Sequence, residues 1–187
     1  EYELTEELGI PLVIMEPIKG GSLATLPADV TLPFREFHPD ASISSWALRW
    51  VASKPNVKVV LSGMSTQEEV VDNLKTFSNF QPLSLKEKEI VANVAAAIKA
   101  RTKNGCTGCA YCMPCPCGVN IPQNFRIWND LSMYRNIDRI KQMYFKELEE
   151  GARANQCQEC GQCEEVCPQS LSIRENLKQV WQEMNAL

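Results

Sequence analysis

The sequence predicts an α/β segment followed by an all-α segment. Over roughly the first hundred residues, short apolar runs alternate with amphipathic helical patterns, and most of the turns between them are short. Such alternation is typical of a parallel sheet whose strands are buried on both faces. Beyond residue 104 the pattern is helical, and all nine cysteines of the chain lie there. We therefore expect two domains, at residues 1–103 and 104–187.

The α/β segment is expected to contain two strands and four helices. In chain order the elements are a helix over 3–8, a strand over 11–15, a loop rich in Gly and Pro over 19–40, a helix over 42–54, a strand over 57–61, a helix over 65–77 and a helix over 84–103. Gly9 suits the left-handed position that follows a helix. Ile43, Trp46 and Trp50 lie on one stripe of the second helix and give it an apolar face.

Capping boxes mark three helix starts. In a capping box two side chains, three residues apart, each bond the other residue's backbone N–H. The pairs with this spacing are Ser65 and Glu68, Ser84 and Glu87, and Ser172 and Glu175. Between the cysteine runs a helical pattern extends to Leu148, with Pro122 in its first turn, a joint near Asn136 and a stop at Gly151.

The nine cysteines form two runs that repeat each other. Each run opens C-x-x-C-x-x-C, and Cys-Pro follows at Cys115 and at Cys167. The first three cysteines of the two runs are 51 positions apart, and Cys115 and Cys167 are 52 apart. An apolar pair follows each Cys-Pro: Val119 and Ile121, then Leu171 and Ile173. The repeat predicts two equivalent half-sites.

The cysteine pattern resembles the bacterial ferredoxin motif. In that motif three closely spaced thiolates hold one [4Fe-4S] cluster, and the cysteine before the proline binds the other cluster. The resemblance implies that one cluster takes Cys106, Cys109, Cys112 and Cys167, and the other Cys157, Cys160, Cys163 and Cys115. Because helices separate the runs, the region looks like an alpha-helical ferredoxin.

The fourth ligand of the second cluster could be either of two cysteines. Two residues separate Cys112 from Cys115, where the usual spacing is three, so either Cys115 or Cys117 could be the crossing ligand. We prefer Cys115, since it precedes a proline and keeps the repeat in register. Cys117 is then left over.

Zinc and disulfides fit the cysteines less well. Structural zinc usually takes two separated pairs, so the third cysteine of each run would have no role. A disulfide framework does not suit an odd number of cysteines without an apolar signal segment, whereas C-x-x-C pairs in an intracellular protein indicate metal or redox sites. The cysteines therefore predict that the protein works in a reducing cytoplasm.

Charge and hydropathy exclude two classes of partner. The formal net charge is −4, so no basic surface for nucleic acid is expected. No apolar run approaches the roughly 18 residues that indicate a transmembrane helix, so we expect no membrane association.

The turn after the second strand is a candidate anion site. Helix N-termini present unpaired N–H groups, and ligands of parallel α/β proteins bind at the carboxyl ends of strands. Ser65, Glu69, Asp72 and Asn73 fall on one side of the following helix and would give the site a polar wall. The alternative is a capped surface helix that binds nothing.

The first hundred residues resemble the aldo-keto reductases. The matching motifs, in order, are Glu16-Pro-Ile-Lys-Gly-Gly21, Trp50, Leu61-Ser-Gly-Met-Ser65 and Asp72-Asn-Leu74. The resemblance implies the last two strand-helix units of a (β/α)8 TIM barrel that binds NAD or NADP. It places the dinucleotide against Pro17, Ile18, Lys19 and Gly20 at the pyrophosphate, Ser62, Gly63, Met64 and Ser65 at the adenosine phosphate, and Glu69, Asp72 and Asn73 near the adenine.

Two departures from the family bear on the cofactor. Met15 stands where the family often has a nicotinamide-stacking Tyr, and Glu69 stands where many members have Arg or Gln near the 2′-phosphate. A carboxylate repels a phosphate, so the choice between NADP and NAD is open. The family's catalytic Asp, Tyr, Lys and His lie on earlier strands, so no catalytic residue is assigned in this chain. His38, the only histidine, is expected at the surface.

The order of the two segments resembles aldo-keto reductase-like oxidoreductases with a C-terminal iron-sulfur domain. It implies the C-terminal part of a longer enzyme that performs NAD(P)H-dependent redox chemistry on a small-molecule carbonyl or alcohol, with clusters for electron transfer. The alternatives are a non-catalytic electron-carrier or docking module, and clusters that are purely structural. Because a hydride carries two electrons and a cluster accepts one, a flavin bound elsewhere or a redox protein partner is also expected.

Overall fold

A computed structural model describes residues 2–187, which divide into two compact units between Ile98 and Lys99. This break lies five residues before the boundary expected from the sequence. The elements are α1 (Tyr2–Glu7), β1 (Leu12–Ile14), α2 (Ala28–Phe37), α3 (Ile43–Ala52), β2 (Val57–Val60), α4 (Gln67–Ser78), α5 (Leu85–Lys99), α6 (Ile121–Tyr134), α7 (Ile137–Gln142), a π-helical turn (Met143–Glu147), 3-10 turns (Glu150–Ala152 and Ala154–Gln156), α8 (Gln162–Glu165) and α9 (Ile173–Asn185).

The two predicted strands pair in parallel, as the strand-helix alternation indicated. Leu12 lies opposite Val57 and Ile14 opposite Val60, with one irregularity in register after Leu12. Gly9, at φ +63°, follows α1 as expected. The chain crosses from β1 to β2 through α2 and α3, so the unit contains a βαβ connection.

The prediction that both strands are buried on both faces is wrong for residues 2–187. Val13 is 59% exposed and Val59 is 45% exposed. Within the described residues the sheet has two strands, so helices cover it only in part. The apolar run of each strand was predicted correctly. Burial of both faces of the strands would require a further layer of structure, which residues 2–187 do not contain.

The predicted loop over 19–40 contains a ten-residue helix, α2, so the loop prediction is wrong there. Pro33 lies inside this helix and removes one helical N–H, which weakens the local helix signal. Packing outweighs that loss, because the Phe34 ring stacks on Trp46 with centroids 4.4 Å apart. Val30, Phe34, Trp46, Ile90 and Val94 form the core of this unit.

The three predicted capping boxes have different outcomes. The box before α5 is confirmed, since Glu87 Oε2 accepts from Ser84 N at 2.8 Å and Ser84 Oγ from Glu87 N at 3.3 Å. The box before α4 begins one residue later than predicted and joins Thr66 to Glu69. The box before α9 is wrong: Ser172 is the N-cap, but its side chain makes no capping bond within residues 2–187.

The second unit is helical around one apolar core. Its largest fully buried side chains are Tyr144, Phe125, Ile121, Ile127, Ile140, Ile173, Leu177 and Met184. The predicted joint is confirmed, because Arg135 adopts a left-handed conformation at φ +53° and Asn136 caps α7. Beyond it the π-helical turn ends the helical run at Glu147, and Arg153 donates to the carbonyls of Tyr144 and Phe145 at 3.1 and 2.8 Å.

Among residues 2–187, no helix combines the length and the apolar character needed to cross a membrane.

Candidate functional site

The cysteines line two cavities in the second unit. The first cavity is lined by Cys106, Cys109, Cys112 and Cys167, together with the apolar side chains Ile121, Phe125, Leu171 and Ile173. Three of these cysteines come from the first run and the fourth from the second run. The structure thus brings together the residues that the ferredoxin resemblance assigned to one cluster.

The second cavity has the reciprocal composition. It is lined by Cys157, Cys160 and Cys163 of the second run and by Cys112, Cys115 and Cys117 of the first. Cys115 and Cys117 both reach this cavity, so its lining alone does not choose the crossing ligand. The cysteines that pack against the helical core are Cys106, Cys112, Cys115, Cys157, Cys163 and Cys167. This group contains Cys115 but lacks Cys117, and it also lacks Cys109 and Cys160, so packing against the core does not decide between Cys115 and Cys117.

The backbones of the two runs repeat each other turn by turn. Six residues of the cysteine loops have positive φ: Gly108, Ala110, Gly118, Glu159, Gly161 and Ser170. They form three pairs at the repeat offsets, and each pair contains one glycine and one other residue. A residue with a side chain costs about 1–2 kcal/mol in the left-handed conformation. The loops keep this conformation at Ala110, Glu159 and Ser170 despite that cost. These turns curl each loop so that the first three cysteines of a run line the same cavity.

Two of the thiols that line the cavities, Cys112 and Cys163, have a raised pKa and resist ionisation. Burial raises the pKa of Cys112, and burial followed by the charge of Glu164 raises the pKa of Cys163 to about 11. A thiolate is the form that binds metal, so metal binding must release protons here. None of the nine cysteines forms a disulfide in the structure.

The donor set fits an iron-sulfur cluster. Within residues 2–187, no three His, Cys, Asp or Glu side chains are grouped closely enough to hold one metal ion. In a [4Fe-4S] cluster four thiolates share four irons, so the ligands surround the whole cluster and lie farther apart than the ligands of one ion. Four cysteines line the first cavity and six line the second, and soft thiolates in sets of this size fit an iron-sulfur cluster.

Asn129 anchors the first cysteine loop and was missed by the sequence reasoning. Its Oδ1 accepts from the backbone N–H groups of Lys103 and Asn104 at 3.0 Å each, and its Nδ2 donates to Asn104 O at 2.9 Å. The contact joins α6 to a segment about 25 residues earlier, so no local pattern reports it. The Asn-x-Cys spacing at Asn104 and Asn155, repeated before each run, was a signal that the sequence did contain.

In the first unit an internal carboxylate occupies the predicted anion site. Glu69 Oε2 accepts from Ser65 N at 2.6 Å, Ser65 Oγ at 3.1 Å and Thr66 N at 3.0 Å. The hydrogen bonds from the Ser65 backbone, then those from Thr66 and the Ser65 hydroxyl, lower the pKa of Glu69. Donors that the sequence assigned to an incoming phosphate are therefore already used by Glu69.

The other predicted nucleotide contacts are divided between two places. Asn73 Nδ2 donates to Ser62 Oγ at 2.9 Å and belongs to the turn. Asp72 accepts from Ser42 Oγ at 2.6 Å and Ser44 Oγ at 3.2 Å, so its carboxylate joins α4 to the start of α3. The turn of Ser62, Gly63, Met64 and Ser65 is exposed.

Residues 17–20 form the turn after β1, in which Lys19 and Gly20 have φ values of +51° and +59°. Leu61 N donates to Ile14 O at 2.9 Å, so the chain leaves both strands at the same edge of the sheet. Pro17, Ile18, Lys19 and Gly20 thus follow one strand and the Ser62–Ser65 turn follows its neighbour.

His38 is half exposed and is engaged by a buried carboxylate. Its Nε2 lies 3.1 Å from Oε1 of Glu87, and Arg49 Nη1 lies 2.6 Å from the same oxygen. Burial raises the pKa of Glu87, but the bonds and charge of Arg49 and the bonds of Ser84 outweigh it and lower this pKa to about 2. The network joins α5 to α3 and to His38, which follows α2.

The comparisons with known proteins agree with both parts of the architecture. Residues 105–173 match the model of a 4Fe-4S dicluster domain, so an iron-sulfur domain follows the α/β unit. Residues 2–96 match the model of the aldo/keto reductase family. The chain belongs to the aldo/keto reductase family, and the resemblance stated from the sequence is confirmed. No curated protein and no solved structure matched the chain.

Proposed function

We propose that this chain is the cluster-bearing part of an iron-sulfur oxidoreductase of the aldo/keto reductase type, with two [4Fe-4S] clusters that carry electrons. The observation that supports this most is the pair of cavities, each lined by three cysteines of one run and by the Cys-Pro cysteine of the other. Cys106, Cys109, Cys112 and Cys167 would hold the first cluster, and Cys157, Cys160, Cys163 and Cys115 the second.

The residues around the cavities suit electron transfer at a protein surface. A bound cluster supplies one-electron redox chemistry. Ile121, Phe125 and Ile173 form an apolar wall that excludes water from the first site. Cys109 and Cys160, equivalent in the repeat, are both exposed, so each site has one edge that a redox protein partner can approach.

The first unit is assigned to two strand-helix units of a (β/α)8 barrel. Its parallel strands and its exposed apolar side chains, Val13, Met15, Val59 and Leu61, support this assignment, because apolar strand faces are normally covered. The catalytic groups for a carbonyl or alcohol substrate would then lie on strands outside these residues. The protein is expected to work in the reducing cytoplasm.

A nicotinamide dinucleotide is assigned to the edge where the chain leaves the two strands. NAD is the preferred form, because a 2′-phosphate at the Ser65 turn would meet the Glu69 carboxylate and compete for its donors. The adenosine of NAD carries no such charge at the ribose.

The test of the proposal is the metal content of the full chain prepared without oxygen and reconstituted with iron and sulfide. About eight irons and eight sulfides per chain are expected, with the electron paramagnetic resonance of reduced [4Fe-4S] clusters. Tightly bound zinc, or iron without sulfide, would overturn it.

A second experiment separates redox clusters from structural ones. A hydride donor and a one-electron cluster need a two-to-one-electron converter such as a flavin. The protein that carries the remaining strands is mixed, flavin-free and without oxygen, with NADH or NADPH while cluster bleaching is followed. Bleaching only after a flavoprotein is added supports electron transfer through a converter. Rapid bleaching without flavin removes the need for one, and no bleaching in either case supports the structural role.

A further inference from the structure

The walls of the two cavities can be compared position by position, because the repeat continues into the helix that follows each cysteine run. Pro122 and Phe125 of α6 line the first cavity. Arg174 and Leu177 of α9, each 52 positions later, line the second cavity. The repeat therefore keeps both wall positions, but at one of them it replaces a neutral proline with a cationic arginine.

The two cavities also differ in the charge of their whole lining. Of residues 2–187, no Asp, Glu, Lys, Arg or His belongs to the lining of the first cavity. Two charged residues, Glu159 and Arg174, line the second cavity. Oε2 of Glu159 lies 2.8 Å from Nζ of Lys178, and both of these side chains are about half exposed. Lys178 and solvent thus offset the charge of Glu159.

Local contacts place the guanidinium of Arg174 against the second cysteine loop. Gly161 lies between two predicted ligands of this loop, and a Cβ built on it would lie 3.9 Å from Cζ and from Nη1 of Arg174. Glu164 fixes the guanidinium from the other side, because its Oε2 accepts from Arg174 Nε at 2.9 Å and lies 2.8 Å from Nη2. A two-point bond of this kind holds the planar guanidinium in one orientation. The positive charge is therefore fixed at the loop that carries three of the predicted ligands.

The start of α9 does not itself require a cation. Glu164 Oε1 accepts from the backbone N–H of Arg174 at 2.8 Å, a bond that any residue other than proline can donate. Arg174 lies in the first turn of α9, which begins at Ile173, and a cation is unfavourable at that end of a helix. The side chains of Arg174 and Glu164 are 45% and 23% exposed, and exposed ion pairs contribute little stability. The position of the charge beside the cavity is thus not explained by the stability of the helix.

We propose that the Arg174 guanidinium stabilises the reduced state of the second cluster and so raises the reduction potential of that cluster. The inference rests on the proposed function. Reduction adds one negative charge to a cluster, and a fixed cation beside the cluster lowers the energy of that charge. Because no cation of residues 2–187 lines the first cavity, this contribution favours the residence of an electron on the second cluster. Arg174 is a tuning residue and not a ligand.

Redox titration of the reconstituted full chain, followed by electron paramagnetic resonance, tests the inference. Arg174→Gln removes the charge and is expected to lower one midpoint potential and leave the other unchanged. Cys160→Ala removes a ligand of the second cluster, so the midpoint that disappears in this variant is the one that Arg174→Gln must shift. Arg174→Lys keeps the charge and should restore most of the unmodified value.

The variant Glu164→Gln separates the effect of charge from the structural effect of the ion pair. Arg174→Gln and Glu164→Gln both break the pair, so a purely structural role would shift the midpoint in the same direction in both. A charge effect gives opposite signs, because loss of the carboxylate raises the potential and loss of the guanidinium lowers it. Lys178→Gln is the matched control, since it removes a cation one turn later on α9, outside the cavity lining, and should have a smaller effect.

Three results overturn the inference while both clusters remain bound. They are an unchanged midpoint in Arg174→Gln, an equal shift in Lys178→Gln, and shifts of the same sign in Arg174→Gln and Glu164→Gln. If Arg174→Gln does not retain the second cluster, Glu164→Gln decides alone: a raised midpoint supports the inference, and an unchanged or lowered one overturns it. Failure of iron and sulfide to bind to the unmodified chain instead overturns the proposed function.

Discussion

The carboxylates of the first unit and the cysteines of the second unit differ in how far the protein's own side chains and backbone engage them. In the first unit the carboxylates of Glu69, Asp72 and Glu87 each accept at least two hydrogen bonds from helix starts or neighbouring side chains. In the second unit the cysteines line two cavities, and none of them forms a disulfide. The second unit therefore groups soft metal ligands around two cavities, as the proposed clusters need. In the first unit a ligand must displace an internal anion.

The variant with the largest expected effect removes Cys115, the proposed crossing ligand of the second cluster. Cys115→Ser is expected to lose one cluster and about half of the bound iron, because a hydroxyl is a poor substitute for a thiolate on iron. Cys117→Ser is the matched control and should keep about eight irons per chain. Iron and sulfide analysis together with redox titration measures both. Full occupancy in Cys115→Ser with a loss in Cys117→Ser would reverse the ligand assignment.

Low pH should destabilise the first unit, because the buried carboxylate of Glu87 is charged and hydrogen-bonded in the folded state. The pKa of Glu87 is about 2 in the folded unit against an ordinary value of 4.5, so its stabilising contribution is complete above about pH 4.5 and is lost as the pH falls toward 2. The shift corresponds to roughly 3 kcal/mol. Urea unfolding of the wild type and Glu87→Gln should therefore differ by about this amount at pH 7 and converge near pH 2.

A matched variant on the same helix tests the Glu87 prediction. Glu89 pairs with Lys86 at 2.9 Å, but its side chain is 59% exposed. Exposed ion pairs contribute little, so Glu89→Gln should change the free energy of unfolding by less than about 1 kcal/mol. Equal losses in Glu87→Gln and Glu89→Gln would show that the buried network around Arg49 is not the cause.

Two glycines of the first cysteine loop allow the cost of a steric clash to be separated from the cost of a left-handed backbone. A Cβ at Gly118 would lie 3.2 Å from the carbonyl oxygen of Gly151, and φ there is +81°. At Gly108, with φ +72°, a Cβ meets nothing within 4 Å. Gly118→Ala is therefore expected to cost about 2 kcal/mol and Gly108→Ala about 1 kcal/mol.

Denaturant unfolding of the reconstituted chain without oxygen measures both glycine variants. Ser170 occupies the repeat position of Gly118 at φ +50°, so a side chain is tolerated in that conformation when space allows. If Gly118→Ala is no worse than Gly108→Ala, the contact with Gly151 does not restrict the loop.

The sequence predicted most elements that carry a local signal. The two apolar runs became paired parallel strands, and the capping box of Ser84 and Glu87 was found as expected. The spacing within each cysteine run is a local pattern, and the resemblance to the ferredoxin motif that it carries implied that a cysteine of the other run meets each set of three.

Features that depend on distant contacts were not predicted. The helix α2 forms because Phe34 stacks on Trp46, twelve positions later, despite Pro33. The start of α4 at Thr66, and not at Ser65, is a local exception: both residues can cap, and Glu69 reaches the N–H groups of both. The backbone of Asn104 bonds to Asn129, 25 positions later, and only the fold shows that Asn104 is buried where Asn155 is exposed.

Neutralising Glu69 should have the smallest effect of these changes. It removes an internal negative charge from the predicted nucleotide site of the first unit. Glu69→Gln keeps a carbonyl oxygen for the N–H groups of Ser65 and Thr66 but removes the charge that a 2′-phosphate would face. Affinity for NADP is expected to rise several-fold while affinity for NAD changes little, as measured by titration calorimetry at low salt. Glu68→Gln removes the same charge one residue earlier and is the control. A gain for NADP that is equal in both variants would show a general effect of surface charge and would leave Glu69 without a specific role in cofactor choice.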